Sequence, residues 1–187
     1  MTEAAAHPIA LSRIHHVAYR CRDAARTVAW YWRVLGMAFT TAFAEDSVPS
    51  TGEDDPYMHV FLDCGGGNVL AFFELPEQAE MGRDPHTPAW VQHIALKVES
   101  RDALRAAKAH IEGCGVEVLG PTWHGVFESI YFFDPDGHRL ELVADVGTPE
   151  QYAELAQVAP LMLEEWSRTK KAPRHAQWLH RPPAGYR

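Results

Sequence analysis

Eleven histidines among 187 residues point first to metal ligation and proton transfer, the two tasks an imidazole performs near neutral pH. Two of them stand at matching places in an internal repeat. Ile14-His15-His16-Val17-Ala18-Tyr19-Arg20-Cys21 aligns with Val91-Gln92-His93-Ile94-Ala95-Leu96-Lys97-Val98: apolar, polar, His, β-branched, Ala, apolar, basic, apolar. Further on, each copy has an acid among apolar neighbours, Glu74 in Leu70-Ala71-Phe72-Phe73-Glu74-Leu75 and Glu141 in Leu140-Glu141-Leu142-Val143. A carboxylate inside such a strand is costly to bury unless it is paired, hydrogen-bonded or bound to a metal. Two histidines with one or two carboxylates suit a divalent first-row ion such as Fe(II), Mn, Ni or Zn. The other histidines carry less. His7, His175 and His180 lie near the termini, His59 and His110 have no partner in the pattern, and His138 lies in a turn.

The elements that must position these groups follow from the same repeat. Each His-bearing strand precedes a helical stretch, residues 23–35 and 100–112, with Asp23 and Ser100 as N-caps and Gly36, Gly113 and Gly115 as stops. Short strands follow at 38–43, 58–63 and 68–75 in the first copy, and at 116–119, 129–133 and 139–144 in the second. Gly65-Gly66-Gly67 and Asp134-Pro135-Asp136-Gly137 supply the hairpin turns. Both copies read βαβββ. The fold class is α+β, two such modules (13–75 and 90–146) forming a cupped mixed sheet within a single domain, joined by a linker at 76–89. Residues 44–56, rich in Asp, Glu, Ser and Pro, read as a loop or lid.

Strand alternation assigns faces. Val17, Tyr19 and Cys21, like Ile94, Leu96 and Val98, form the apolar face for a helix, leaving His16 and His93 on the opposite face beside a small Ala. The pattern puts Glu74 and Glu141 with them, and His15 on the wrong face as a structural or supporting residue.

Residues 147–187 lie outside the repeat. Thr148-Pro149-Glu150-Gln151 is a capping-box pattern, and Tyr152, Leu155, Val158, Met162 and Trp166 recur at helical spacing, an added C-terminal helix. Behind it, Lys170, Lys171, Arg174, Arg181 and Arg187 form a basic tail without an acid, expected to fold back on the body or lie at a subunit contact. The composition narrows the function classes. A net charge of −8 argues against a duplex nucleic-acid binder, and no run approaches the ~18 apolar residues of a membrane span. No secretory signal pattern stands at the start, so a cytoplasmic protein is expected. Cys21, Cys64 and Cys114 have no CxxC spacing and read as packing residues.

On these residues the chain resembles the vicinal oxygen chelate superfamily, whose two βαβββ units surround one metal. Ile14 to Ala18, Gln92 to Ala95, Trp30-Tyr31-Trp32-Arg33-Val34-Leu35-Gly36-Met37 and Phe133-Asp134-Pro135-Asp136-Gly137-His138-Arg139-Leu140-Glu141 carry the resemblance. The run from Thr122-Trp123-His124 through Ile130-Tyr131-Phe132-Phe133 to Glu141 is similar to the pattern of type I extradiol ring-cleaving dioxygenases. That resemblance implies Fe(II) held by His16, His93 and Glu141, Tyr131 hydrogen-bonded to a substrate oxygen, and His124 supporting the site or handling a proton. A catechol opened by O₂ is the implied reaction, with Phe72, Trp123 and Phe127 as possible flanks of the ring. Glu74 implies instead the glyoxalase I branch: His16, Glu74, His93 and Glu141 around Ni or Zn, with proton transfer in a lyase or epimerase. A third reading is a non-catalytic binding protein of the bleomycin-resistance kind. The modules pair within one chain or across a homodimer in such proteins.

Overall fold

The computed structural model describes residues 9 and 12–181. The chain divides between Arg83 and Asp84 into two compact units. In the first, β1 (Val17–Cys21), α1 (Ala24–Leu35), β2 (Ala38–Ser47), β3 (Asp54–Asp63) and β4 (Val69–Glu74) give a sheet of order β1-β4-β3-β2. In the second, β5 (Ile94–Lys97), α2 (Arg101–Gly113), β6 (Leu119–Trp123), β7 (Phe127–Phe133) and β8 (Arg139–Asp145) give β5-β8-β7-β6. Each first strand runs parallel to the last of its unit and the remaining pairs are antiparallel. The repeat read as βαβββ is therefore a repeat of structure.

Local chemistry sets the helix ends. The Asp23 carboxylate accepts from Arg26 N at 2.8 Å, and Gly36 takes the left-handed conformation (φ 68°) that closes α1. Ser100 Oγ accepts from Ala103 N at 3.1 Å to start α2. Helix α1 buries Trp30, Tyr31 and Val34, and the Tyr31 ring lies 5.0 Å from that of Phe72 on β4. Leu70 and Phe72 are 2% and 0% exposed, so they define the helix-packed face of the first sheet. Each such side chain contributes about 1.5–3 kcal/mol by leaving water. In the second unit Leu104 and Ile111 of α2 are buried, as are Leu140 and Leu142 of β8.

Two sequence assignments change. The 44–56 lid is absent as such. Ala44 to Ser47 extend β2 and Asp54 to Pro56 extend β3, leaving a short turn at 48–53. A polar composition read as loop is that of a hairpin whose β2 is exposed along its whole length, and a register shift between Glu45 and Ser47 accommodates the segment around Pro56. The strand expected at 116–119 instead runs Leu119–Trp123. Gly120 and Pro121 sit in a register shift of the edge strand. Gly120 has φ 106°, and a Cβ there would lie 2.7 Å from Ser129 O, so only glycine fits.

The added helix, α3 (Pro149–Thr169), begins in the expected capping box: Thr148 Oγ accepts from Gln151 N, and the Gln151 side chain accepts from Thr148 N at 2.8 Å. The tail folds back on it. His175 pairs with Glu165 at 3.0 Å, Trp178 Nε1 donates to Glu154 at 2.8 Å, and Leu179 packs on Gly125. Arg187 and His7 lie outside the described residues, and no described helix is long and apolar enough to cross a membrane.

Candidate metal and proton-transfer site

Unit two assembles four of the predicted side chains on the face opposite α2. Backbone register puts Glu141 on β8 directly across from Ala95 on one side and Tyr131 on the other. Its neighbours Leu140 and Leu142 point to the helix, so Glu141, 4% exposed, points away from it. Both of its oxygens are engaged: Oε2 lies 2.8 Å from His93 Nε2, and Oε1 accepts from the Tyr131 hydroxyl at 3.2 Å. The same hydroxyl lies 2.8 Å from His124 Nε2. A continuous chain results, His93 to Glu141 to Tyr131 to His124.

The arrangement at His93 bears on metal binding. Its Nδ1 lies 3.0 Å from Val91 O, an acceptor only, so Nδ1 carries a hydrogen and donates it. A neutral ring then presents a lone pair at Nε2, facing a carboxylate oxygen. Two acceptors 2.8 Å apart need positive charge between or beside them, supplied by a proton on the ring or by a metal ion. The donor set fits a divalent ion in type, imidazole plus carboxylate. Among the described residues no group of three or more His, Cys, Asp or Glu side chains stands close enough to hold an ion on its own. Unit two thus offers two ligands.

Tyr131 is tuned by its surroundings. Burial, and then the negative charge of Glu141, push its phenol above the ordinary tyrosine range, while the Arg139 guanidinium, 4.2 Å above the ring, pulls the other way. With the hydroxyl donating to Glu141, His124 donates Nε2–H to the phenolic oxygen, a three-member path for a proton. His124 stacks on Phe127 at 5.0 Å in the turn between β6 and β7, and Gly125 beside it adopts φ 83°.

Unit one is built differently. His16 lies on the face opposite α1, 5.6 Å from the Phe61 ring and 6.0 Å from His59, with Nδ1 2.8 Å from His15 Nδ1. Glu74 does not join it. Glu74 alternates with Leu70 and Phe72 on the helix side, and its Oε2 accepts from Ala24 N at 2.7 Å, at the first turn of α1. The expectation that Glu74 shares the face of His16 is corrected by register. Val17 pairs with Leu70 as Ile94 pairs with Leu140, so the counterpart of Glu141 is Ala71, three residues earlier and on the opposite face from Glu74. Phe72 belongs to the core rather than to a substrate wall.

Two residues escaped the sequence reading. Arg139 is two residues before Glu141, on the same strand face, and alternation alone would have found it. His59 is buried on β3, paired in register with Phe73 and stacked on its ring at 3.6 Å, with Phe61 at 4.2 Å. Burial and the nearby His16 lower its pKa.

Residues 13–142 match the Glyoxalase/Bleomycin resistance protein/Dioxygenase superfamily, and the chain belongs to that family. It is 29% identical over 136 residues to the putative ring-cleaving dioxygenase MhqA of Bacillus subtilis, and 29% over 142 residues to biphenyl-2,3-diol 1,2-dioxygenase 3 of Rhodococcus globerulus. These alignments cover 71% and 74% of the chain, which spans 40% of the first relative's length and 67% of the second's. Among solved structures, a glyoxylase/bleomycin resistance protein/dioxygenase domain from Frankia sp. EAN1pec superposes with a TM-score of 0.58 at 19% identity, over 73% of this chain and 99% of that one. The fosfomycin resistance protein FosX of Listeria monocytogenes, complexed with Mn(II), superposes at 0.53 and 20% identity, over 77% and 99%. The fold is thus shared across proteins with different names and activities. A divalent metal and a small-molecule substrate are typical of the family.

Proposed function

We propose that the chain is an extradiol-type dioxygenase that opens a catecholic ring with O₂ at an Fe(II) ion held by His16, His93 and Glu141. The observation that carries the reading is the His93–Glu141–Tyr131–His124 chain, which joins a ligand pair to a proton path ending in a phenol and an imidazole. His16 enters as the third ligand because it holds the repeat position of His93. The names of the two relatives, a putative ring-cleaving dioxygenase and a biphenyl-2,3-diol 1,2-dioxygenase, support the reading.

When bound, Fe(II) would supply Lewis acidity toward the two diol oxygens and an electron path to O₂. The chain's residues do the rest. Val91 O fixes the His93 ring, and Tyr131 steadies the second oxygen of Glu141 while its phenol hydrogen-bonds a substrate oxygen. His124, anchored on Phe127, passes a proton through Tyr131 to or from the ring-derived oxygen. Arg139 over the Tyr131 ring favours negative charge developing on that phenol. A lyase reading would need Glu74 as a fourth ligand, and its hydrogen bond to Ala24 N on the helix side favours the three-ligand set.

The test is reconstitution with Fe(II) under anaerobic conditions, addition of mono- and bicyclic catechols, and admission of O₂. Oxygen uptake with a yellow ring-fission product supports the reading; no uptake with any catechol, alongside isomerase activity with Ni or Zn, overturns it.

A further inference from the structure

Helix α3 begins at Pro149, beyond the residues 13–142 that match the family, so its surface belongs to this chain's own extension. It carries two apolar stripes. Leu155, Val158 and Met162 are half-buried, next to Glu154 and Glu165, which the tail engages through Trp178 and His175. Tyr152, Ala156, Ala159, Leu163 and Trp166 form the second, at the alternating steps of four and three that keep one helix face in line. All five are exposed, Leu163 at 68%, Trp166 at 46% and Tyr152 at 39%. The Tyr152 hydroxyl, 2.9 Å from both Val126 O and an Asp145 oxygen, ties one end of this stripe to its own unit, so the face is held out ready-formed.

A solvated helix face ordinarily carries charged or polar side chains, and this stripe has none along about 21 Å of helix. The order of side-chain sizes selects what covers it. Laid antiparallel on a copy of itself about an axis at Ala159, each Ala156 meets Leu163 of the second copy, so small faces large. Each Tyr152 meets Trp166 of the second copy, and the two Ala159 methyls let the backbones approach. Charge agrees with this direction. The first turns of α3 carry Glu150 and Glu154, whereas its last turn carries Arg168, with Lys170 and Lys171 behind it. Of the two acids nearer that end, Glu165 is already matched by His175. An antiparallel pair sets the acidic end of each helix beside the basic end of the other and opposes the two helix dipoles, and a parallel pair would set like ends together.

We propose that α3 is a homodimerisation helix, which pairs with α3 of a second copy in an antiparallel, two-fold seam of Tyr152, Ala156, Ala159, Leu163 and Trp166. A single helix seam is smaller than the roughly 800 Å² per partner of a standard interface, so the dimer depends on concentration and forms at about 1–100 µM. The contact is independent of the proposed chemistry.

Sedimentation velocity on the full chain, followed from below to above that range, tests the proposal. The wild type should pass from a 21.0 kDa monomer to twice that mass. Leu163→Glu puts an unpaired carboxylate into the seam and should raise the dimer dissociation constant at least tenfold. Its melting temperature at low concentration should match that of the wild type, because the side chain is exposed in the monomer. Direction is read by oxidative cross-linking of Ala156→Cys and Leu163→Cys, with the wild type as the control for Cys21, Cys64 and Cys114. A disulfide-linked dimer should form when the two variants are mixed and not with either alone. A wild type that stays monomeric throughout overturns the proposal, including one that instead co-sediments with phosphatidylserine vesicles. So does a Leu163→Glu variant that dimerises like the wild type, or cross-linking in each variant alone that mixing does not increase.

Discussion

Replacing Glu74 by Ala separates a helix cap from a metal ligand. The Glu74 carboxylate accepts a 2.7 Å hydrogen bond from Ala24 N at the start of α1, a twelve-residue helix that carries no acidic residue in its first turn. Loss of a capping interaction costs about 0.5–2 kcal/mol, and loss of a negative charge at a helix N-terminus about 0.3–1 kcal/mol. Asp23 still caps Arg26 N, and Glu74 is only half-buried, so the total should be about 1–2 kcal/mol. For a chain of this length each kcal/mol moves the melting temperature by about 2–4 °C, giving a fall of roughly 2–8 °C. Calorimetry measures that fall, and plasma mass spectrometry on the same iron-loaded sample measures the metal. The expected result is a lower melting temperature with the iron content unchanged. An unchanged melting temperature with loss of iron would refute the face assignment and restore the four-ligand set.

Tyr131→Phe should keep iron, cost about 1–2 kcal/mol of stability through the two lost hydrogen bonds, and lower kcat by about 10²–10⁴-fold; full turnover would remove Tyr131 from the mechanism. Gly125→Ala meets both a φ of 83° and the Leu179 side chain, which would lie within 2.2 Å of the new Cβ, so it should cost about 1–3 kcal/mol and loosen the turn that holds His124. Wild-type stability in a urea titration would contradict that packing. Asp145 is held below the usual carboxylate range by hydrogen bonds from Lys97 and Tyr152. Its contribution is present above the unfolded value of about 3.9 and is lost as pH falls through the lower folded value. Asp145→Asn should therefore cost up to about 1 kcal/mol at pH 7, reduced by solvent screening of this surface pair, and nothing at the acid end. A pH-independent difference would contradict the sign.

Signals local to one element were legible. Asp23, Ser100 and Thr148 mark the helix starts in the sequence and perform those tasks in the structure, because a cap depends on a few neighbouring residues. The His16 and His93 repeat was equally legible, since strand alternation is a short-range rule. Glu74 was misplaced because its face depends on pairing register between β1 and β4, a long-range property. The longer separation of Glu74 from His16 fits the longer loops of the first unit, but pairing puts Glu74 three residues past the position that matches Glu141, which turns the side chain over. His59 has no repeat partner, so nothing in the pattern distinguished it from a packing histidine until β3 and β4 were paired. The 44–56 segment was read as a loop from its polarity, which on an exposed edge hairpin carries no information about strand or turn.

Oxygen uptake by the Fe(II)-reconstituted wild-type protein with 3-methylcatechol, run beside Glu141→Ala, bears most directly on the proposed chemistry. The account predicts stoichiometric uptake with a yellow product in the wild type, and neither uptake nor bound iron in the variant. Uptake that persists in Glu141→Ala, or its absence from an iron-loaded wild type offered a range of catechols, would contradict it.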